Sequence, residues 1–249
     1  MRRLKLAALL LAALLLTGLM PLGALAQGFS EAQRAEIVDI LRRALRDDPS
    51  ILRDAIGGLE AAEQESRGQA QRAALAAQAD ALFRDPADPV KGNPRGDVTL
   101  VEFFDARCGY CKQLHPTMEA LIRRDPNLRV VMKDLPILGP NSVLASRALL
   151  AAQRQGRYGP LYDALMGLRG EPTEAVIRQQ AERAGLDWTR LRRDMDDPAV
   201  QARIDGNLRL ARVLGIEGTP ALVVGTTLVP GAVDLPALER LVAEARAAR

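Results

Sequence analysis

The stretch Val98-Thr99-Leu100-Val101-Glu102-Phe103-Phe104-Asp105-Ala106-Arg107-Cys108-Gly109-Tyr110-Cys111-Lys112 decides the fold. Its first seven residues, rich in β-branched and aromatic side chains, read as a short buried strand. Leu114, Met118, Leu121 and Ile122 then give an apolar face at helical spacing as far as Arg123, and Leu128 to Met132 read as a second strand. Strand, helix and strand in that order predict a βαβ unit with its strands side by side. From Asn141 to Leu214 the pattern is helical, with Asn141 or Ser142, Thr173, Asp187 and Asp197 as candidate caps and Gly185 and Gly215 as stops. Strand character returns in Ala221 to Val224 and Thr226 to Val229, and a last helix follows Asp234. The order is βαβ, a helical block over about 139–214, then ββα: an α/β fold.

Upstream, Pro86, Pro89, Gly92, Pro94 and Gly96 mark a boundary between a segment over 27–88 and a domain over 89–249. Ser30 and Gln33 form a candidate capping box ahead of Ile37, Val38, Ile40, Leu41 and Leu45. A second helix is expected after Asp48, with Pro49 in its first turn, Ile51, Leu52, Ile56 and Leu59 on its apolar face, and Gly57 and Gly58 weakening its end. From Glu60 to Ala81, alanines and one leucine sit among Gln, Glu and Arg, which suits an exposed connecting helix. Two short amphipathic helices cannot bury their stripes well against each other, so these need a partner. The segment is either a stalk that joins copies into a homo-oligomer or a cover folded back on the main domain.

Residues 1–26 pair the basic Arg2, Arg3 and Lys5 with an apolar run from Leu6 to Leu16 and the small residues of Ala24-Leu25-Ala26. This predicts a signal peptide cleaved after Ala26, and hence export. Against an uncleaved anchor, Pro21 and Gly23 break the run before the roughly 20 apolar residues a spanning helix needs. Cleavage removes three positive charges and no negative one, so the formal net charge of +3 falls to zero. With arginines spread among similar numbers of acids on amphipathic helices, the charge pattern argues against nucleic-acid binding.

Cys108 and Cys111 are the only two cysteines of the chain, and His115 is its only histidine. Cys108 falls where strand gives way to helix, and the free amides and positive dipole end there favour a thiolate. Cys111, one turn later, can attack a mixed disulfide on Cys108 and release its partner. A bridge between them closes too small a loop to constrain the unfolded chain much, which speaks against a structural role. As a zinc site the pair lacks its other half, since His115 is at most a third ligand. A two-thiolate copper(I) site stays chemically open. The redox reading itself needs no metal or other cofactor.

The run from Val101 to Lys112, Pro116 five residues after Cys111, and Gly218-Thr219-Pro220 far downstream resemble the DsbA-like branch of the thioredoxin superfamily. That branch inserts a helical block between the halves of a thioredoxin fold. The N-terminal helices, Phe83 to Gly92 and Gly139-Pro140-Asn141-Ser142 are similar to those of the suppressor-of-copper-sensitivity C (ScsC) and Com1-like envelope proteins. The resemblance implies that Cys108 is the nucleophile and Cys111 the resolving thiol. It also implies that Pro220 is cis and presents the Thr219 backbone to an extended substrate strand, with Gly109 and Tyr110 completing the substrate-binding surface. Glu102 falls where the superfamily places a buried acid beneath the disulfide, where desolvation raises its pKa and lets it relay a proton to or from Cys111. The alternative puts Glu102 in water on an edge strand. Tyr110 replaces the histidine of the oxidases, and without that charge the disulfide is less oxidising. The expectation is therefore a periplasmic protein disulfide isomerase or reductase acting on exported proteins with cysteines and served by a membrane redox partner. A dithiol oxidase and a copper(I)-binding envelope protein are the alternatives.

Overall fold

The computed structural model describes residues 29–248, so the expected signal peptide lies outside the described residues. The chain divides into two compact units, one reaching Gln64 and the other starting at Glu65.

The first unit opens with α1 (Glu31–Asp47), started by the expected capping box. The Ser30 hydroxyl accepts from the Gln33 amide at 3.3 Å, and the Gln33 side chain accepts from the Ser30 amide at 2.9 Å. Next, α2 (Ser50–Ala77) runs on past Gly57 and Gly58, where two helices were expected. Each glycine weakens a helix by about 1 kcal/mol, less than starting a new nucleus would cost after a break. Ile37, Leu41, Leu45, Leu52, Ile56 and Leu59 all stay exposed.

In the second unit the last turns of α2 lead to α3 (Ala79–Phe83) and β1 (Val90–Gly92). Then follow β2 (Val98–Phe104), α4 (Gly109–Arg124), β3 (Leu128–Asp134) and the helical block α5 (Pro140–Gln153), α6 (Tyr158–Met166), α7 (Glu174–Arg183), α8 (Trp188–Met195) and α9 (Pro198–Val213). The chain closes with β4 (Ala221–Val224), β5 (Thr227–Pro230) and α10 (Leu235–Ala247). This is the expected thioredoxin fold with a helical insertion. Thr173, Asp187, Asp197 and Asp234 cap their helices through side-chain oxygens. The first cap of the block differs from the expected Asn141 or Ser142: α5 starts at Pro140, whose fixed φ suits a first helical position, after Gly139 at φ 108°.

The sheet order is β1-β3-β2-β4-β5, with β2 and β3 parallel and the other pairs antiparallel. The short edge strand β1 lies inside the stretch read as a boundary, because three residues bounded by proline and glycine carry no periodicity. Alternation along β2 sends Val98, Leu100 and Phe104 to one face and Val101 and Phe103 to the other. On the first face pack α4, α10 and the helical block. The second is closed by Leu210 and Leu214 at the end of α9, and by Leu75 and Leu82. The connecting helix expected over Glu60 to Ala81 therefore ends in a core contact: Leu75, its one leucine, is buried, for roughly 1.5–3 kcal/mol.

A polar cluster ties the residues between α3 and β1 to β3 and α9. Lys133 reaches Asp88 at 2.6 Å and donates to the Ala81 carbonyl at 2.7 Å, while Arg203 holds Asp88 at 2.6 Å and Asp85 at 3.0 Å. Burial pushes Asp88 up despite these cations and pushes Lys133 down despite Asp88.

Candidate active site

Cys108 is the N-cap of α4 and keeps extended dihedrals, φ −65° and ψ 120°, so the chain turns sharply from loop into helix at the first sulfur. Asp105 builds that turn. Its backbone carbonyl accepts from the Cys108 amide at 2.9 Å, and its buried carboxylate accepts from the Arg107, Ile137 and Leu138 amides at 2.8, 2.9 and 3.0 Å. The loop before the cysteines is thereby stapled to the loop after β3. Arg107 and Lys112 add ties to the helical block: Arg107 bonds the Leu138 carbonyl and pairs with Glu171 at 2.6 Å, and Lys112 donates to the Leu168 carbonyl at 2.8 Å.

Both cysteines are free thiols, Cys108 at 7% exposure and Cys111 at 0%. The Thr219–Pro220 peptide is cis, and the Cys108 sulfur lies 3.1 Å from the Thr219 carbonyl oxygen, a contact between residues 111 apart in sequence. Gly109 opens the helix and Tyr110 stands 67% exposed beside the cysteines. Burial pushes the Cys111 thiol well up, and the neighbouring Cys108 and Glu102 push it further.

Glu102 sits in mid-sheet, paired with Met132 of β3 and Leu222 of β4, and is only 1% exposed. The edge-strand alternative is thereby ruled out. Desolvation raises its carboxyl to about 7, opposed by Lys91 and by the Tyr162 hydroxyl and assisted by Glu119. Tyr162 approaches Glu102 closely enough to favour the carboxylate, yet neither its hydroxyl nor Glu102 Oε1 has a partner of good hydrogen-bond geometry.

A second buried acid, Asp134 at the end of β3, is raised to about 7 by burial, against the pull of Ser146 and Tyr158. The Tyr158 hydroxyl donates to it at 3.2 Å and Asn207 donates to its backbone carbonyl at 3.1 Å. Sequence reasoning passed over Asp134, Asp105, Lys91 and Tyr162. Only Asp105 carried a signal, as an Asp three residues ahead of a helix-capping cysteine.

The fold and this geometry are those of a thiol-disulfide oxidoreductase domain. Residues 99–243 match the DSBA-like thioredoxin domain, and the chain belongs to that family. A thioredoxin-like oxidoreductase from Silicibacter pomeroyi DSS-3 is 46% identical, covering 68% of this chain and 98% of its own, with a TM-score of 0.67. A linker-deletion mutant of ScsC from Proteus mirabilis is 32% identical, covers 90% of this chain and 100% of its own, and gives a TM-score of 0.64. The resemblance to the ScsC proteins is thus borne out. A 166-residue segment is also 32% identical to the Na(+)/H(+) antiporter NhaA 1 of Salinispora arenicola, covering 64% of this chain and 26% of that protein. The chain thus spans about a quarter of the length of the curated relatives it matches first. No helix among the described residues is long and apolar enough to cross a membrane.

Proposed function

We propose that this protein exchanges disulfides in exported envelope proteins, working as an isomerase or reductase. The observation that carries the reading is Cys108, poised 3.1 Å from the Thr219 carbonyl beside the cis Pro220, with Cys111 and Glu102 buried behind it. An extended substrate strand pairing with the Thr219 backbone brings its sulfur to Cys108. The Cys108 thiolate attacks that disulfide and forms a mixed disulfide. Either the freed substrate thiol attacks elsewhere in the substrate and finally displaces Cys108, which is isomerisation, or Cys111 resolves the adduct. In resolution Glu102 takes the Cys111 proton, the thiolate attacks Cys108, and the substrate leaves reduced.

Tyr110 between the cysteines supports isomerase or reductase work over oxidation, because it adds no positive charge beside Cys108. The exposed apolar stripes of α1 and α2 support assembly of copies through the N-terminal helices, which gathers several dithiols around one client. The basic and apolar residues of 1–26 support export to the periplasm, with a membrane partner resetting the redox state.

Refolding of a scrambled-disulfide client tests this. The chain lacking residues 1–26 is expected to restore activity to the client, Cys108→Ser to restore none, and a chain also lacking 27–64 to isomerise more slowly while keeping Leu75 and Leu82. A wild-type chain that only oxidises reduced client would remove isomerisation and reinstate the oxidase. The reduction potential of the dithiol against glutathione gives the same decision independently.

A further inference from the structure

Cys111, His115 and Glu119 stand four residues apart and share one stripe of α4. At the end of that stripe Lys91 of β1 enters a charged cluster, with its ammonium 2.6 Å from Glu119 and 2.5 Å from Asp163 of α6. His115 Nε2 lies 3.0 Å from Asp163 and 4.0 Å from Glu119. His115, Glu119 and Asp163 have the donor types of a metal site, but the Lys91 ammonium stands between the two carboxylates and supplies the cation itself.

Tyr162 joins this cluster to the buried acid. Its ring lies 4.7 Å beneath the Lys91 ammonium and packs edge-on against His115 at 5.4 Å and Phe104 at 4.9 Å, while its buried hydroxyl approaches Glu102. The ionisable groups around Glu102 are Cys111 and Glu119 from α4, Tyr158 and Tyr162 from α6, and Lys91 from β1. The adjoining β3 and β4 contribute apolar register partners, Met132 and Leu222. Lys91 is the one cation of the set.

We propose that Lys91, His115, Glu119 and Asp163 form a charged port for Glu102 that sets when it accepts the Cys111 proton. The inference rests on the reading that Cys111 resolves a mixed disulfide. At that moment a client covers Cys108 and Thr219, so the proton cannot leave on that side. The Cys111 proton goes to Glu102, the Cys111 thiolate bonds to the Cys108 sulfur, and the Cys108–client bond breaks. The electron pair leaves on the client sulfur, which takes a proton from water. Lys91 and Glu119 are positioning residues, because they act through Glu102, and they pull it in opposite directions.

The test is the pH dependence of resolution, read by acid quench and mass measurement of the Cys108–glutathione adduct as reduced protein is oxidised by oxidised glutathione. Lys91→Met is expected to move the midpoint to higher pH and slow resolution at pH 7 by roughly tenfold, the change that one pH unit brings. Glu119→Gln moves the midpoint to lower pH, Lys91→Arg restores the wild-type profile, and in a Glu102→Gln background neither substitution shifts anything. Midpoints that stay put, or that move together, overturn the port. A wild-type chain that forms no adduct sinks the oxidoreductase reading instead. Carbon-13 titration of the Glu102 carboxyl then judges the port alone: it stands only if the Lys91 and Glu119 variants move that titration in opposite directions.

Discussion

The two units of this chain depart from the usual placement of side chains in opposite ways, the first by exposing apolar residues and the second by enclosing a few charged ones within its apolar core. From Glu31 to Gln64 the large apolar residues of both helices face water. From Glu65 on, the interior holds Glu102, Asp105, Asp134 and the Lys133–Asp88 pair at under 6% exposure. Amphipathic periodicity is thus enough to write a helix but not a core, whereas a sheet covered on both faces can enclose an ionisable group that meets a partner, as Lys133 meets Asp88, or that burial pushes toward its neutral form, as in Glu102. On the reading proposed above, the unpartnered apolar stripe is where copies of the chain meet. On the same reading, the enclosed Glu102 is where a proton is managed.

The largest effect expected from this contrast is at Lys133. Lys133→Met leaves Asp88 buried with Arg203 as its remaining cation and should cost about 3–5 kcal/mol in denaturant unfolding. A loss under 1 kcal/mol would make the cluster ornamental and weaken the contrast. Leu82→Ala, under the second face of the sheet, should cost about 2–4 kcal/mol and so place α3 with the thioredoxin unit.

Asp134→Asn should act the other way and depend on pH. In the folded chain Asp134 titrates near 7 rather than at its ordinary 3.8, so the folded state holds this proton more tightly than the unfolded one. The stability it contributes is complete below about pH 4, falls as pH rises from 4 to 7, and is lost above that. The variant should therefore match wild type at pH 4 and exceed it by about 1–3 kcal/mol at pH 8. An equal gain at both pH values would refute the titration. Smallest is Leu41→Glu on α1, expected to leave the main unfolding transition within about 0.5 kcal/mol while lowering the mass measured by light scattering. A marked loss of stability with unchanged mass would show the stripe to be a covered face of the folded chain.

Local signals were legible in the sequence. Short runs rich in β-branched and apolar residues placed β2 and β4 at their observed limits, and capping oxygens at Thr173, Asp187 and Asp197 gave three helix starts. The reactive pair was read from its place at a strand-to-helix turn, and Thr219 and Pro220 from resemblance, since nothing local brings residues 108 and 219 together. What escaped were features made by distance. His115 meets Asp163 across 48 residues, Lys133 meets Asp88 across 45, and Lys91 reaches its carboxylates from a strand too short to show alternation. Gly57 and Gly58 misled the reading, because local weakness does not end a helix that both flanks sustain.

The chain owns two sulfhydryls and encloses one of them completely. Replacing Cys111 with serine therefore leaves a bait with a single hook. Any protein caught on it in a cell extract is held through Cys108 and through nothing else, since no further cysteine of this chain can join by accident. Eluting such a trap with a reductant returns the captured clients, and the partner cysteines can be read from them directly by mass spectrometry.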